Sequence, residues 1–167
     1  GTEETPLFGF GQGNGAAPSS FQVLATLMMN AYIGMGHSVV MKSAITGALF
    51  TLAAVMYVDD TDLFQVANSR YMTDEEFLAQ VQFSVTDWGK LVQATGGALK
   101  QKKCWWYLLS FKFVMGIPRY KTVAELPTTP LVIPQVDGTT LPIALKEASE
   151  ASKTLGVRAA PDGNPVA

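Results

Sequence analysis

An α+β architecture is predicted by three features of the sequence: two long segments with apolar residues at helical spacing, an apolar run that ends in paired carboxylates, and a late segment whose apolar residues alternate. With 167 residues, 48% of them hydrophobic, the chain is long enough to bury one ordinary core, and one packed unit is expected.

Gly9, Gly11, Gly13 and Gly15 mark a loop. Pro18 then suits the first turn of a helix, where its missing N–H has no partner to lose. Phe21, Leu24, Leu27, Met28 and Tyr32 recur at helical spacing, and Gly34 and Gly36 are stop signals. An extended stretch near Ser38 to Ser43 follows, and then an apolar run over residues 44–58, which is too short for a membrane span of ~20 residues and fits a buried hairpin. The partner strand is expected in "TDLFQVA", with Asp59 and Asp60 forming the turn. Thr73 and Glu76 have capping-box spacing at the head of a second helix, whose apolar face is Phe77, Leu78, Val81, Val85, Trp88, Leu91 and Val92, and Gly96-Gly97 ends it. "CWWYLLSFKF" alternates as a strand with Trp105, Tyr107, Leu109, Phe111 and Phe113 on one apolar face, and Tyr120 to Val123 is the segment expected to pair back. Four prolines over residues 124–142 predict irregular chain with one short strand near Leu131 to Val136, followed by a helical turn and a last strand. A strand added before the first helix would complete a β-α-β-β-α-β order, the split βαβ sandwich, so the expected fold is such a sandwich lacking its first strand.

Composition excludes several functions. Cys104 is the only cysteine and His37 the only histidine, so no internal disulfide and no Cys/His zinc set can form, and any metal would be held by oxygen. The N-terminal stretch has no basic-then-apolar signal pattern and no segment suits a membrane, so an intracellular protein is expected. Net charge is −2, but its distribution is uneven. Residues 1–99 carry three basic against nine acidic groups, whereas residues 100–121 carry Lys100, Lys102, Lys103, Lys112, Arg119 and Lys121 with no acid. A basic hairpin of this kind is either a solvated element or a contact for a polyanion. His37 is expected as an exposed loop residue, and Met28, Met29, Met35 and Met56 as core.

Adjacent carboxylates repel and are costly to desolvate, so Asp59-Asp60 is a solvated turn, a cap, or a cation's ligand set. Four motifs bear on the choice. "GFGQGNGAAPSSFQ" resembles the B motif of reverse transcriptases, a Gly-rich loop with a glutamine that leads into a helix. "MYVDDTDLF" resembles their C motif, with Tyr57, Val58, Asp59 and Asp60 in the places of Tyr-x-Asp-Asp. "TGGALKQKKCWWYLLSF" is similar to the D motif, and "KTLGV" to the stretch that begins the primer grip. The motifs stand in the family's order over residues 9–157, and the likeness is to retroelement, non-long-terminal-repeat enzymes.

The resemblance implies a partial polymerase palm, with residues 1–123 as its B-to-D portion and residues 124–167 as an irregular connection and the start of the primer grip. It implies RNA-directed DNA polymerase chemistry on an RNA template and a DNA primer with deoxynucleoside triphosphates. Two Mg2+ ions, or Mn2+, would be held by Asp59 and Asp60. Asp59 would be the direct ligand, Tyr57 would lie near the primer terminus, and Gln12 and Gly13 would lie against substrate. Lys103 would serve the leaving pyrophosphate, with Lys100 and Lys102 as near competitors for that role. Asp62 falls outside the motif and is expected as a surface or turn residue. The fingers, the thumb and the A motif with its aspartate are expected in flanking segments of the parent polypeptide. An RNA-directed RNA polymerase palm and a non-catalytic retroelement remnant with only a structural or nucleic-acid-binding role are the competing readings, and Tyr-Val-Asp-Asp in place of Gly-Asp-Asp favours the reverse transcriptase. Because half of the expected metal site is supplied by the A motif, the 167-residue chain alone should show no primer extension. Labelled primer elongated by the purified chain would contradict this.

Overall fold

A computed structural model describes residues 17–57, 60–154 and 157–163, and these are mixed α and β. They divide between two compact units rather than one. Residues 1–65 and 87–98 form the first, and residues 66–86 and 99–167 the second, so the expected 123/124 boundary falls inside the second unit.

In the first unit, helix α1 (Ala17–Gly34) has Pro18 in its first turn, as expected. Gly36, at φ +90°, ends it: His37 N–H donates to Tyr32 C=O at 3.3 Å and Gly36 N–H to Ile33 C=O at 2.9 Å, the paired bonds of a Schellman cap. Strands β1 (Val39–Lys42) and β2 (Leu49–Leu52) pair antiparallel, and so do β3 (Ala54–Tyr57) and β4 (Asp60–Leu63). The apolar run of residues 44–58 is therefore not one buried hairpin. Its start is a turn in which Ser43 Oγ accepts from the Ile45 and Thr46 amides, and Ile45 is 95% exposed. Its remainder is split at Ala53 between two different sheets. The unit's buried side chains include Tyr32, Val39, Ala53 and Trp88, and Met35, expected in the core, is half exposed.

Helix α2 (Asp74–Ala94) contributes residues to both units. The predicted capping box is formed: Thr73 N–H donates to Glu76 Oε2 at 2.8 Å, and Glu76 N–H to Thr73 Oγ1 at 3.2 Å. Gly96, at φ +80°, ends the helix with the same Schellman pair, in which Gly97 N–H reaches Val92 C=O and Gly96 N–H reaches Gln93 C=O.

The second unit carries β5 (Trp105–Trp106), β6 (Phe111–Val114), β7 (Ile117–Tyr120), β8 (Val132–Pro134), β9 (Thr140–Pro142), β10 (Ala144–Leu145), β11 (Ser152–Thr154) and β12 (Val157–Ala159). Among the described residues every sheet has two strands: β6 with β7, β8 with β9 and β11 with β12 are antiparallel, and β5 with β10 is parallel. Leu78, Leu108, Leu126, Leu131, Ile133 and Ile143 form its core, with Phe77, Val81, Val85, Cys104 and Trp106 packed around them. Gln82 clamps β8 to α2: its Nε2 donates to Val132 C=O at 2.9 Å and its Oε1 accepts from Val132 N–H at 2.8 Å.

Two expectations for this unit are corrected. "CWWYLLSFKF" is not one strand, because residues 107–110 break it, and the side that packs inward is Cys104, Trp106 and Leu108. Leu109, Phe111 and Phe113 are exposed, Phe113 by 74%. The return strand starts at Ile117, earlier than expected, because Met115 (φ 51°) and Gly116 (φ 79°) make a two-residue turn with both central residues at positive φ. Pro118 is tolerated because β7 is an edge strand. The side that is buried is directly measurable. Leu108→Ala should cost about 2–5 kcal/mol of stability, whereas Phe113→Ser should change it by no more than about 0.5 kcal/mol, as read from urea midpoints of the two variants.

Candidate functional site

Asp60 opens β4 directly opposite Tyr57, the last residue of β3, so the strand and not the turn carries it. Its side chain is exposed. Asp59 and Val58 lie outside the described residues, as do Gln12 and Gly13. The B-motif loop is thus unplaced, and of the C motif the described residues bring Tyr57 and Asp60 together as a register pair. Asp62, expected at the surface or in a turn, is a partly buried strand residue opposite Val55. It shares a face with Asp60, because residues two apart on a strand point the same way. Burial pushes its carboxyl above the ordinary range, and the Asp60 charge adds to the shift.

Among the described residues, no group of three or more His, Cys, Asp or Glu side chains could hold a metal ion. The donors present at the end of β4 are carboxylate oxygens, and these suit a hard dication such as Mg2+, which one or two carboxylates plus substrate phosphates can bind.

Lys103 lies in the second unit, on a 3-10 turn over Gln101–Lys103, where its N–H donates to Lys100 C=O at 2.8 Å. Lys100, Lys102 and Lys103 are all exposed, and Gln101 Nε2 ties the turn to the Pro142 carbonyl. Of the supposed primer-grip stretch, Lys153-Thr154 ends β11 and Val157 begins β12, and Leu155-Gly156 is outside the described residues. Trp105 and Trp106 diverge as strand neighbours should. The Trp106 indole donates to Ile143 C=O at 3.2 Å, and Trp105 lies under the Lys146 ammonium, which is 5.3 Å from the ring centroid.

No family model, no curated protein and no solved structure matches the chain. No helix among the described residues is long and apolar enough to cross a membrane.

His37 lies in the loop between α1 and β1, as expected, but it is not exposed. Its ring is largely covered, stacks on Tyr32 with centroids 4.8 Å apart, and donates from Nε2 to Asp87 Oδ2 at 2.8 Å. Tyr32 also meets Trp88 edge-on at 5.3 Å, and Lys90 lies 3.6 Å from the other Asp87 oxygen. The hydrogen bond from His37 holds the Asp87 carboxyl below its ordinary value of 3.8. A carboxyl lowered by folding stabilises the folded state above the unfolded value, and the benefit is lost as pH falls through the folded one. Asp87→Asn should therefore destabilise the chain at neutral pH, by on the order of 1 kcal/mol. The gap should narrow as pH falls below the ordinary carboxyl value and through the lowered one, and chemical denaturation of both proteins across this range is the check.

Proposed function

We propose that the chain is a palm segment of an RNA-directed DNA polymerase. The observation that supports the reading is the antiparallel pair β3/β4, which follows α1, precedes α2 and sets Tyr57 and Asp60, the first and last residues of the Tyr-Val-Asp-Asp stretch, in register with one another. The order of the four motifs around it adds support. The substrates are an RNA-templated DNA primer and deoxynucleoside triphosphates, and the reaction joins the primer 3′-oxygen to the α-phosphorus with loss of pyrophosphate.

Asp59 and Asp60 would hold the divalent ions, together with the aspartate that the family's A motif supplies. The ions would contribute Lewis-acid charge stabilisation to phosphoryl transfer. Tyr57 orients the primer end, and Gln12 with Gly13 lets backbone approach the substrate closely, since glycine lacks a Cβ. Lys103, an exposed ammonium on a short turn, neutralises the pyrophosphate or gives it a proton.

The test is made in the polymerase that contains these 167 residues. Asp59→Asn should lower single-turnover primer extension by about 10²–10³-fold or more. Asp62→Asn, whose side chain is partly buried and outside the motif, should leave most of the activity. A loss of only tenfold at Asp59, or a greater sensitivity at Asp62, would remove the assignment.

A further inference from the structure

The basic segment of residues 100–121 does not present all six of its cations. The Lys121 ammonium is 2.6 Å from Asp74 Oδ2, and the two side chains are only 28% and 20% exposed. Ser110 Oγ donates to the other Asp74 oxygen at 2.8 Å, and Lys121 N–H donates to Ser110 C=O at 2.9 Å, so Asp74, Ser110 and Lys121 close on one another at the head of α2.

Lys112 is committed in the same way. It pairs with Glu125, which also accepts from the Thr122 amide in a capping box, and the Lys112 hydrogen bond holds that carboxyl well below its usual range, at about 2. Lys112 sits directly across the ladder from Arg119, and like charges in that position repel. Glu125 relieves the repulsion. Arg119 is exposed and forms no ion pair among the described residues, as is also true of Lys100, Lys102 and Lys103.

We propose that Lys112 and Lys121 are latches that fix hairpin β6/β7 to Glu125 and to the head of α2, and that Arg119 is the hairpin's contact to the phosphodiester backbone of a nucleic acid. The second half rests on the polymerase reading and the first does not. An ammonium already held by a carboxylate gains little from a phosphate, since it must give up one anion to take the other, whereas a solvated guanidinium releases counterions from the nucleic acid at no such cost. A phosphate contact and a latch therefore differ in two readouts, the salt dependence of binding and the thermal midpoint.

The experiment uses the 167-residue chain, with a fluorescein-labelled DNA duplex of about 20 base pairs as the probe, between 50 and 200 mM salt. Arg119→Ala should reduce the slope of log K against log salt by about 0.9 and leave the thermal midpoint unchanged. Lys121→Ala should leave the slope unchanged and lower the midpoint by roughly 2–4 °C. The exchanged pair Asp74→Lys with Lys121→Asp should recover most of that loss. Should Lys121→Ala fail to fold, Lys112→Ala with the exchange Lys112→Glu and Glu125→Lys makes the same comparison at the other latch. A slope lowered by Lys121→Ala, or a midpoint that the exchange does not recover, would overturn the latch. A wild-type chain that does not bind the duplex would overturn the nucleic-acid partner and Arg119's role, while the midpoints still decide the latch.

Discussion

A two-stranded ribbon has no face that it can bury by itself, and every sheet among the described residues of this chain is two-stranded. Each pair must therefore borrow its stability from something else, and α2 supplies packing in both units. In the second unit its Phe77, Leu78, Val81 and Val85 meet the side chains of Leu108, Leu131 and Ile143, and Gln82 satisfies both backbone groups of Val132. In the first unit its Trp88 and Asp87 meet Tyr32 and His37. The capping box and the Schellman cap matter for this reason. They satisfy the end groups of the helix on which the packing of both units draws, where the loss of either cap would expose unpaired backbone.

The same constraint bears on the carboxylates of β4. At the first residue of β4, Asp60 is exposed. One pleat repeat further in, Asp62 is partly covered, and its charge is disfavoured both by that covering and by Asp60. The gradient along one strand face runs from a carboxylate that water can solvate to one that it serves poorly. A cation at the exposed end would relieve the repulsion between them.

Elements whose signals are local were legible in the sequence. The cap at Thr73 and Glu76, the stops at Gly36 and Gly96, and the strand near Val132 need only neighbours in the chain to be recognised. What the sequence hid is decided by remote partners. Both parities of residues 104–113 are apolar, so alternation could not say which side would meet Leu78, and the break at residues 107–110 put Trp105 and Phe111 into different sheets. The covering of His37 was hidden because its partner Asp87 is 50 residues away. Of the site, the hairpin was within reach, but the pairing of Tyr57 with Asp60 that puts Asp60 on the strand was not, because a doubled carboxylate is compatible with a turn one residue earlier or later.

Charge shows most clearly why a local count misleads. Six cations without an acid over 22 residues suggest a wholly basic hairpin, yet the acids that answer Lys121 and Lys112 lie at Asp74, before the segment, and at Glu125, after it. An antiparallel pair places i and j side chains together wherever the register falls, so Lys112 and Arg119 must share a face, and only an outside carboxylate can make that tolerable. Once Glu125 takes Lys112, the hairpin's available positive charge is concentrated on Arg119, whose planar guanidinium can grip two phosphate oxygens at once where an ammonium acts as a point charge. The ion pairs thus hold the hairpin and also determine which of its cations a polyanion can reach.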